Sequence, residues 1–243
     1  MKRTVQRVMQ RVLGFERYLF VFARVTLAAM PRQRRYRDLF HFLGMIRPGD
    51  LVLDIGANIG LMTVLMSRRV PHGHVEAFEP IGENFGALTR MVDHYGLANV
   101  TLRQTALGEQ DGDLEMIMPE ESNVRMQGLS HVVSDDDEPG QRYSVPVRRL
   151  DDIELQAGRV AAIKIDVENH EVFVFRGGTE LIRRDRPLVY TELWDNERTT
   201  ECLEMFRGFD YTVHVYDDAT SSLREVPVGY QEAGNYFLVP GPC

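Results

Sequence analysis

Leu51-Val52-Leu53-Asp54-Ile55-Gly56-Ala57-Asn58-Ile59-Gly60 decides the fold. The first half is an apolar run that carries an acid near its end. The second half sets two glycines and an asparagine ahead of another apolar segment, Leu61 to Met66. That succession reads as a buried strand, a tight turn and a helix. In an open α/β sheet such a turn lies beyond the carboxyl end of a strand, where ligands bind, and glycine lets the backbone approach them closely. The expectation is a small-molecule pocket, with Asp54, Gly56, Asn58 and Gly60 as cofactor-binding residues.

The spacing separates two kinds of cofactor. A dinucleotide fingerprint, G-x-G-x-x-G, rests a pyrophosphate on a helix N-terminus. This chain has D-x-G-x-N-x-G, with Asn58 in place of the middle glycine. The next strand, His74-Val75-Glu76-Ala77-Phe78-Glu79-Pro80, ends in a carboxylate, and Glu79 follows Gly56 by 23 positions. That offset suits an acid that reaches a ribose diol. A nucleoside without a pyrophosphate fits these residues better than NAD.

Four blocks, DIGANIG, EAFEP, NVTLRQTALGEQDG and IKIDVENHEVFVFRGG, resemble in sequence and order the FkbM family of S-adenosylmethionine-dependent methyltransferases. The resemblance covers roughly residues 48 to 239. It implies a Rossmann-like class I methyltransferase fold of the α/β class: a mostly parallel seven-stranded sheet with an antiparallel last strand. It also implies S-adenosylmethionine as cofactor, Gln104, Thr105 and Ala106 near its adenine, and O-methylation of a sugar, glycan or natural-product hydroxyl. The family usually has glycine after the KIDVE acid, where this chain has Asn169. Asparagine tolerates positive φ better than most residues, so the turn can survive the change.

At 243 residues and 44% hydrophobic the chain can bury a large core, which fits one α/β domain (residues 48–243) with an appendage (1–47). The net charge of −8 argues against a nucleic-acid partner, which needs a basic face. The charge is segregated. Residues 1–37 hold ten Lys or Arg against Glu16 alone, so that segment carries +9 and the remainder −17. Val5, Val8, Met9, Val12, Phe15, Leu19 and Phe22 recur at helical intervals among the arginines, the mark of a basic amphipathic helix. Its apolar side either caps the catalytic domain, the reading we favour, or rests on a membrane surface as a peripheral anchor. Tyr18 to Ala23, the longest uncharged run between Glu16 and Arg24, is far short of the ~20 residues of a membrane span. Cys202 and Cys243 have neither disulfide-framework nor metal spacing, so a cytoplasmic protein is expected.

Strands then alternate with helices, the pattern of a parallel sheet covered on both faces. Residues 113–148 break the rhythm with a hairpin of Leu114 to Met118 and Tyr143 to Val147. An insertion on the ligand edge suits a substrate lid. Within it, His131 either faces the pocket as a substrate contact or lies on the surface, and Asp135-Asp136-Asp137-Glu138 reads as a solvated loop.

Val160 to Ile165 is an apolar strand that brings Asp166, Glu168 and His170 to that edge, and Leu188 to Leu193 brings Glu192 and Trp194. Carboxylates converging on one crevice cost desolvation and repulsion unless a cation or proton compensates. The alternative use is structural, with Asp166 and Glu192 capping loops or binding arginine. In the chemical reading Asp166, His170 and Glu192 are the catalytic candidates, and Glu168, His131 and Trp194 the substrate contacts. Asp166 or His170 would take the acceptor's proton as general base. Alternatively, a divalent cation on Asp166 and Glu192, with Mg²⁺ suited to oxygen ligands, would lower the hydroxyl pKa. Two rival classes remain: a nicotinamide oxidoreductase, disfavoured by Asn58, and a non-catalytic binding module on the same fold.

Overall fold

The computed structural model describes residues 3–121, 124–133 and 139–242; the acidic run 135–138 and Cys243 lie outside them. Ahead of the first strand the chain forms α1 (Arg3–Leu13), α2 (Phe15–Ala29) and α3 (Arg37–Met45), with short 3-10 turns at Met30–Arg32 and Arg34–Tyr36. The single amphipathic helix expected at the N-terminus is thus two helices. Gly14, at φ 74°, breaks them, a backbone conformation that glycine adopts without a Cβ penalty. Phe15, Tyr18, Leu19, Ala23 and Leu27 recur along one face of α2 and are all buried. In α3, Phe42 stacks on Tyr190 at 5.1 Å, while Asp38 accepts hydrogen bonds from Tyr190 (3.0 Å) and Asn235 (2.6 Å). The extension is therefore packed into the domain through α2 and α3.

The core runs β1 (Leu51–Ile55), α4 (Leu61–Arg69), β2 (His74–Phe78), α5 (Gly82–Tyr95) and β3 (Val100–Arg103). A second, smaller sheet follows, from β4 (Ala106–Leu107), β5 (Gly112–Glu121), β6 (Val124–Arg125), β7 (His131–Val132) and β8 (Gly140–Arg148). The predicted hairpin is its spine: β5 and β8 pair antiparallel, Leu114 with Val145 and Met116 with Tyr143. The chain returns to the main sheet with β9 (Val160–Ile165), α6 (Glu171–Gly177), α7 (Thr179–Asp185), β10 (Leu188–Leu193) and α8 (Glu197–Gly208). It ends with β11 (Tyr211–Asp217), β12 (Ser222–Glu225) and β13 (Gly234–Pro240).

The main sheet has the order β12-β11-β13-β10-β9-β1-β2-β3. Strands β3, β2, β1, β9 and β10 are parallel, and β13 runs antiparallel to β10 and β11. This is the expected mostly parallel sheet with an antiparallel last strand, extended by β12 at one edge. All five residues of β1 are buried, which is why it reads as a near-continuous apolar run.

Strand order reverses between β1 and β9, and the crevice beyond their carboxyl ends is where open α/β sheets bind ligands. The two ends touch. Asp166 N–H donates to the Ile55 carbonyl at 3.1 Å, and a Cβ on Gly56 would stand 2.0 Å from the Asp166 carbonyl oxygen, at a φ of +73°. Only glycine fits there. Gly56→Ala is expected to cost roughly 2–5 kcal/mol, from overpacking plus the positive φ. Urea unfolding checks this, and a loss under about 1 kcal/mol would mean that the strand ends do not meet as described.

Candidate active site

The β1 turn is held from below by charge. Asp54 is fully buried and its Oδ2 accepts from Thr63 Oγ1 at 2.5 Å. Lys164 of β9 lies beside it, with Nζ 3.6 Å from Asp54 Oδ1 and 3.8 Å from Asp166 Oδ2, and donates to the Gly56 carbonyl at 2.9 Å. Burial works against the ammonium, but Asp166, Asp54 and Glu79 together hold its pKa above the ordinary lysine range. Lys164 is the compensating cation that the converging carboxylates required. As a charged residue in the run Val-Ala-Ala-Ile-Lys-Ile it carries a sequence signal of its own, a lysine inside an otherwise apolar strand.

Two cavities open above this turn. The first, about 660 Å³ with the open solvent at its mouth counted, runs from Gly56 and Asn58 past Glu79 to Thr105 and Ala106, with Phe78, Ile81 and Met116 as apolar wall. Glu79 sits at the end of β2. Its Oε2 accepts from Asn58 N–H (2.8 Å), and its Oε1 from Ile81 N–H (3.0 Å) and the Asn84 amide (3.3 Å). Burial lifts its pKa to about 7, although these three donors favour the ionised form. A buried acceptor beside an apolar slot offers what ribose hydroxyls donate to and what an adenine packs against.

The second cavity, about 1100 Å³, lies on the other side of the turn. It is lined by Lys164, Asp166, Tyr190 and the exposed Glu192, and its walls include Phe22, Met30, Arg35, Tyr36 and Leu39 from the N-terminal extension. Gly56, Asn58, Asp166 and Gly128 of the insertion line both cavities. The carboxylates at this junction perturb one another. Burial first, then Asp166, raises Glu192 above the usual carboxylate range. Burial and the charges of Asp166, Glu192 and Glu171 lift Glu168 to about 8. Glu171, which accepts from Val167 N–H at 3.1 Å, is lifted by burial to about 7.

The predicted residues divide accordingly. Gly56, Asn58, Glu79, Thr105, Ala106, Asp166, Glu168 and His170 line the first cavity; Glu192 lines the second. His170 is therefore parted from Glu192. It stacks on Phe173 at 4.6 Å, and burial with the Arg198 charge pushes its pKa to about 4, which leaves it a weak base. Asp54 and Gly60 lie behind the turn: Asp54 faces Thr63, and Gly60 starts α4 against Leu88. Gln104 is exposed and lines neither cavity. The His131 ring folds back onto the Leu129 carbonyl at 2.8 Å while its neighbours Ser130 and Val132 line the wall. Trp194 lies past the end of β10, 44% exposed and outside both linings. Asn169 takes the positive φ expected of it, 69°, and accepts from the Asn196 amide at 2.8 Å. Among the described residues no three His, Cys, Asp or Glu side chains converge in a metal-holding group.

Residues 54–217 match the methyltransferase FkbM domain, more than half of the chain. The chain belongs to the FkbM methyltransferase family. It is 26% identical to the 31-O-demethyl-FK506 methyltransferase FkbM of Streptomyces tacrolimicus, over 71% of this chain and 76% of that one. It is 29% identical to the hexuronic acid methyltransferase AglP of Haloferax volcanii, over 66% of each. The crystal structure of methyltransferase FkbM from Methylobacillus flagellatus superposes with a TM-score of 0.56 at 17% identity, over 91% of this chain and 53% of that one, a likeness of fold. The chain spans 59% of the length of a further curated relative, from Beauveria bassiana.

Two outcomes follow for this FkbM-family site. Lys164→Met leaves Asp54 buried without its partner, and breaking such a pair costs about 3–5 kcal/mol; adding Asp54→Asn should restore part of it in urea unfolding. Separately, Glu79, Glu171 and Glu168 bind protons more tightly folded than unfolded. Each therefore stabilises the fold below the unfolded pKa of 4.5, and that contribution is lost as pH rises through about 7 to 8. The thermal midpoint of the ligand-free protein should fall over that window, and Glu168→Gln should flatten its upper part; a midpoint that rises instead would contradict the assignment.

Proposed function

We propose that this chain transfers a methyl group from S-adenosylmethionine to a hydroxyl of a sugar, glycan or natural-product acceptor. The observation that carries the reading is the meeting of two cavities at Gly56, Asn58 and Asp166. One suits a nucleoside, and the other is large enough for an acceptor. The names of two relatives, one an O-demethyl-FK506 methyltransferase and one a hexuronic acid methyltransferase, support an acceptor of this class.

In this reading Glu79 binds the ribose hydroxyls, and the slot of Phe78, Ile81, Thr105 and Ala106 takes the adenine. S-adenosylmethionine, when bound, supplies an already activated methyl electrophile. The chain's own task is to hold an acceptor oxygen in line at near-attack distance and to receive its proton. Glu192 is the base we favour. It opens into the acceptor cavity, and its raised pKa brings it closer to the operating pH, which general-base catalysis rewards. Asp166 at the junction orients the acceptor, and the Lys164 charge behind it favours the developing alkoxide, the service a divalent cation would otherwise perform.

Calorimetry with S-adenosylhomocysteine against NAD, paired with radiolabelled methyl transfer to glycan precursors and hydroxylated natural products, tests the proposal. Glu79→Ala should weaken nucleoside binding by about tenfold or more, the loss of a hydrogen bond to a charged group. Glu192→Gln should lower kcat by about 10²–10⁴ and leave nucleoside affinity nearly unchanged. NAD bound more tightly than the nucleoside would defeat the cofactor assignment. Nucleoside binding that persists with no methyl transfer to any acceptor would favour a binding module.

A further inference from the structure

Helix α1 turns three of its apolar residues away from the domain. Val5, Val8 and Val12 recur at intervals of three and four and are 47%, 54% and 75% exposed. At 100° per residue they share an arc of about 60° on the helix surface. Met9 and Leu13, on the next strip round, are the residues that pack on the core. On the other side of the valines come Arg11 and Arg7, both exposed, and α1 contains no acid. An outward apolar stripe flanked by arginines is the arrangement of a helix that lies in a lipid interface.

Charge selects among the possible occupants. The segment 1–37 carries +9 against −17 for the remainder, so a second copy placed α1 against α1 would set like charges together. An anionic sheet would attract this face and repel the rest of the molecule, which fixes orientation as well as contact. Among the described residues no helix is long and apolar enough to cross a membrane, so the contact would be a surface one. Gly14 separates α1 from the packed α2, which lets the outer helix keep its own direction.

We propose that α1 docks the protein on an anionic lipid surface, with Val5, Val8 and Val12 set into the headgroup boundary and Arg7 and Arg11 at the lipid phosphates. The contact would lie next to the ligand crevice. Gln10, on the inner side of α1, donates to the Arg125 carbonyl and accepts from its N–H, both at 3.2 Å. Arg125 leads into the turn Gln127–Leu129, whose Gly128 lines both cavities.

Co-sedimentation of the full chain with vesicles tests this without reference to catalysis. Vesicles of phosphatidylglycerol and phosphatidylcholine should carry the protein down, phosphatidylcholine alone should not, and raising the salt should release it. Val8→Glu with Val12→Glu, and separately Arg7→Glu with Arg11→Glu, should each weaken the anionic-vesicle affinity by roughly tenfold or more. Because these side chains line neither cavity, S-adenosylhomocysteine binding should be unchanged, which separates this proposal from the methyltransferase reading. No sedimentation with anionic vesicles would overturn it, as would equal sedimentation with neutral ones. A dimer in analytical ultracentrifugation that the valine variant splits would also overturn it, by assigning the stripe to a second copy.

Discussion

Lys164 carries a full charge into the interior of the sheet, where it is 7% exposed, and the geometry of the site follows from how that charge is met. An ammonium taken out of water costs several kcal/mol. Asp54 at 3.6 Å returns roughly 4–5 kcal/mol by Coulomb's law at an effective dielectric of about 20. The Gly56 carbonyl, at 2.9 Å, takes a hydrogen bond from the same ammonium. That bond ties β9 to the turn that leaves β1, so the two strand ends on either side of the topological switch are fixed to each other by one side chain. The turn cannot move away from β9 without baring the charge, and β9 cannot slide without losing Asp54.

This constraint explains why the glycine at position 56 has so little freedom. Drawn in by Lys164 and by the Asp166 N–H bond to Ile55, the two backbones approach until no Cβ fits between them. The closeness also divides the ligand space. With the turn pressed against Asp166, the volume above the sheet becomes two cavities that share only a narrow border, and Asp166 stands on that border. A group transferred from one ligand to another needs such a border, because reacting atoms held about 3 Å apart avoid most of the entropy of a free encounter.

Much of this was legible in the sequence. Strands buried on both faces read as largely apolar runs, so β1, β9 and β10 and the carboxylates at their ends could be placed along one edge of the sheet. Glu79 was legible because the distance from a glycine turn to the end of the next strand is set by one helix and its connections. What failed was side-chain direction beyond a strand end. Glu168 and Asn169 both take positive φ, 52° and 69°, so a count of alternate faces no longer holds at His170, which turns to the cofactor side. Trp194 is lost for a similar reason, since the chain has already left the strand. Lys164 was within reach, because a lysine inside an apolar run is a buried charge in need of partners.

The acceptor's identity resists the sequence for a different reason. Every residue that lines the first cavity falls within the span that matches the family domain, 54–217. The second cavity draws Phe22, Met30, Arg35, Tyr36 and Leu39 from before that span and Asn235 from after it. The family-matched span thus supplies the whole lining of the first cavity and the carboxylates of the second. Much of the second cavity's remaining wall comes from the extension, which Asp38 ties to the sheet by its bonds to Tyr190 and Asn235. Those bonds position α3 and the turn before it rather than touching any ligand. Phe22, Met30 and Leu39 make that part of the wall apolar. Arg35, stacked on Tyr36 at 4.7 Å and without an ion pair among the described residues, adds a positive charge to a cavity that also holds Asp166 and Glu192. In the proposed reading, an acceptor that drove a carboxylate toward Glu192 would meet repulsion, whereas one that kept an acidic group beside Arg35 would find a partner.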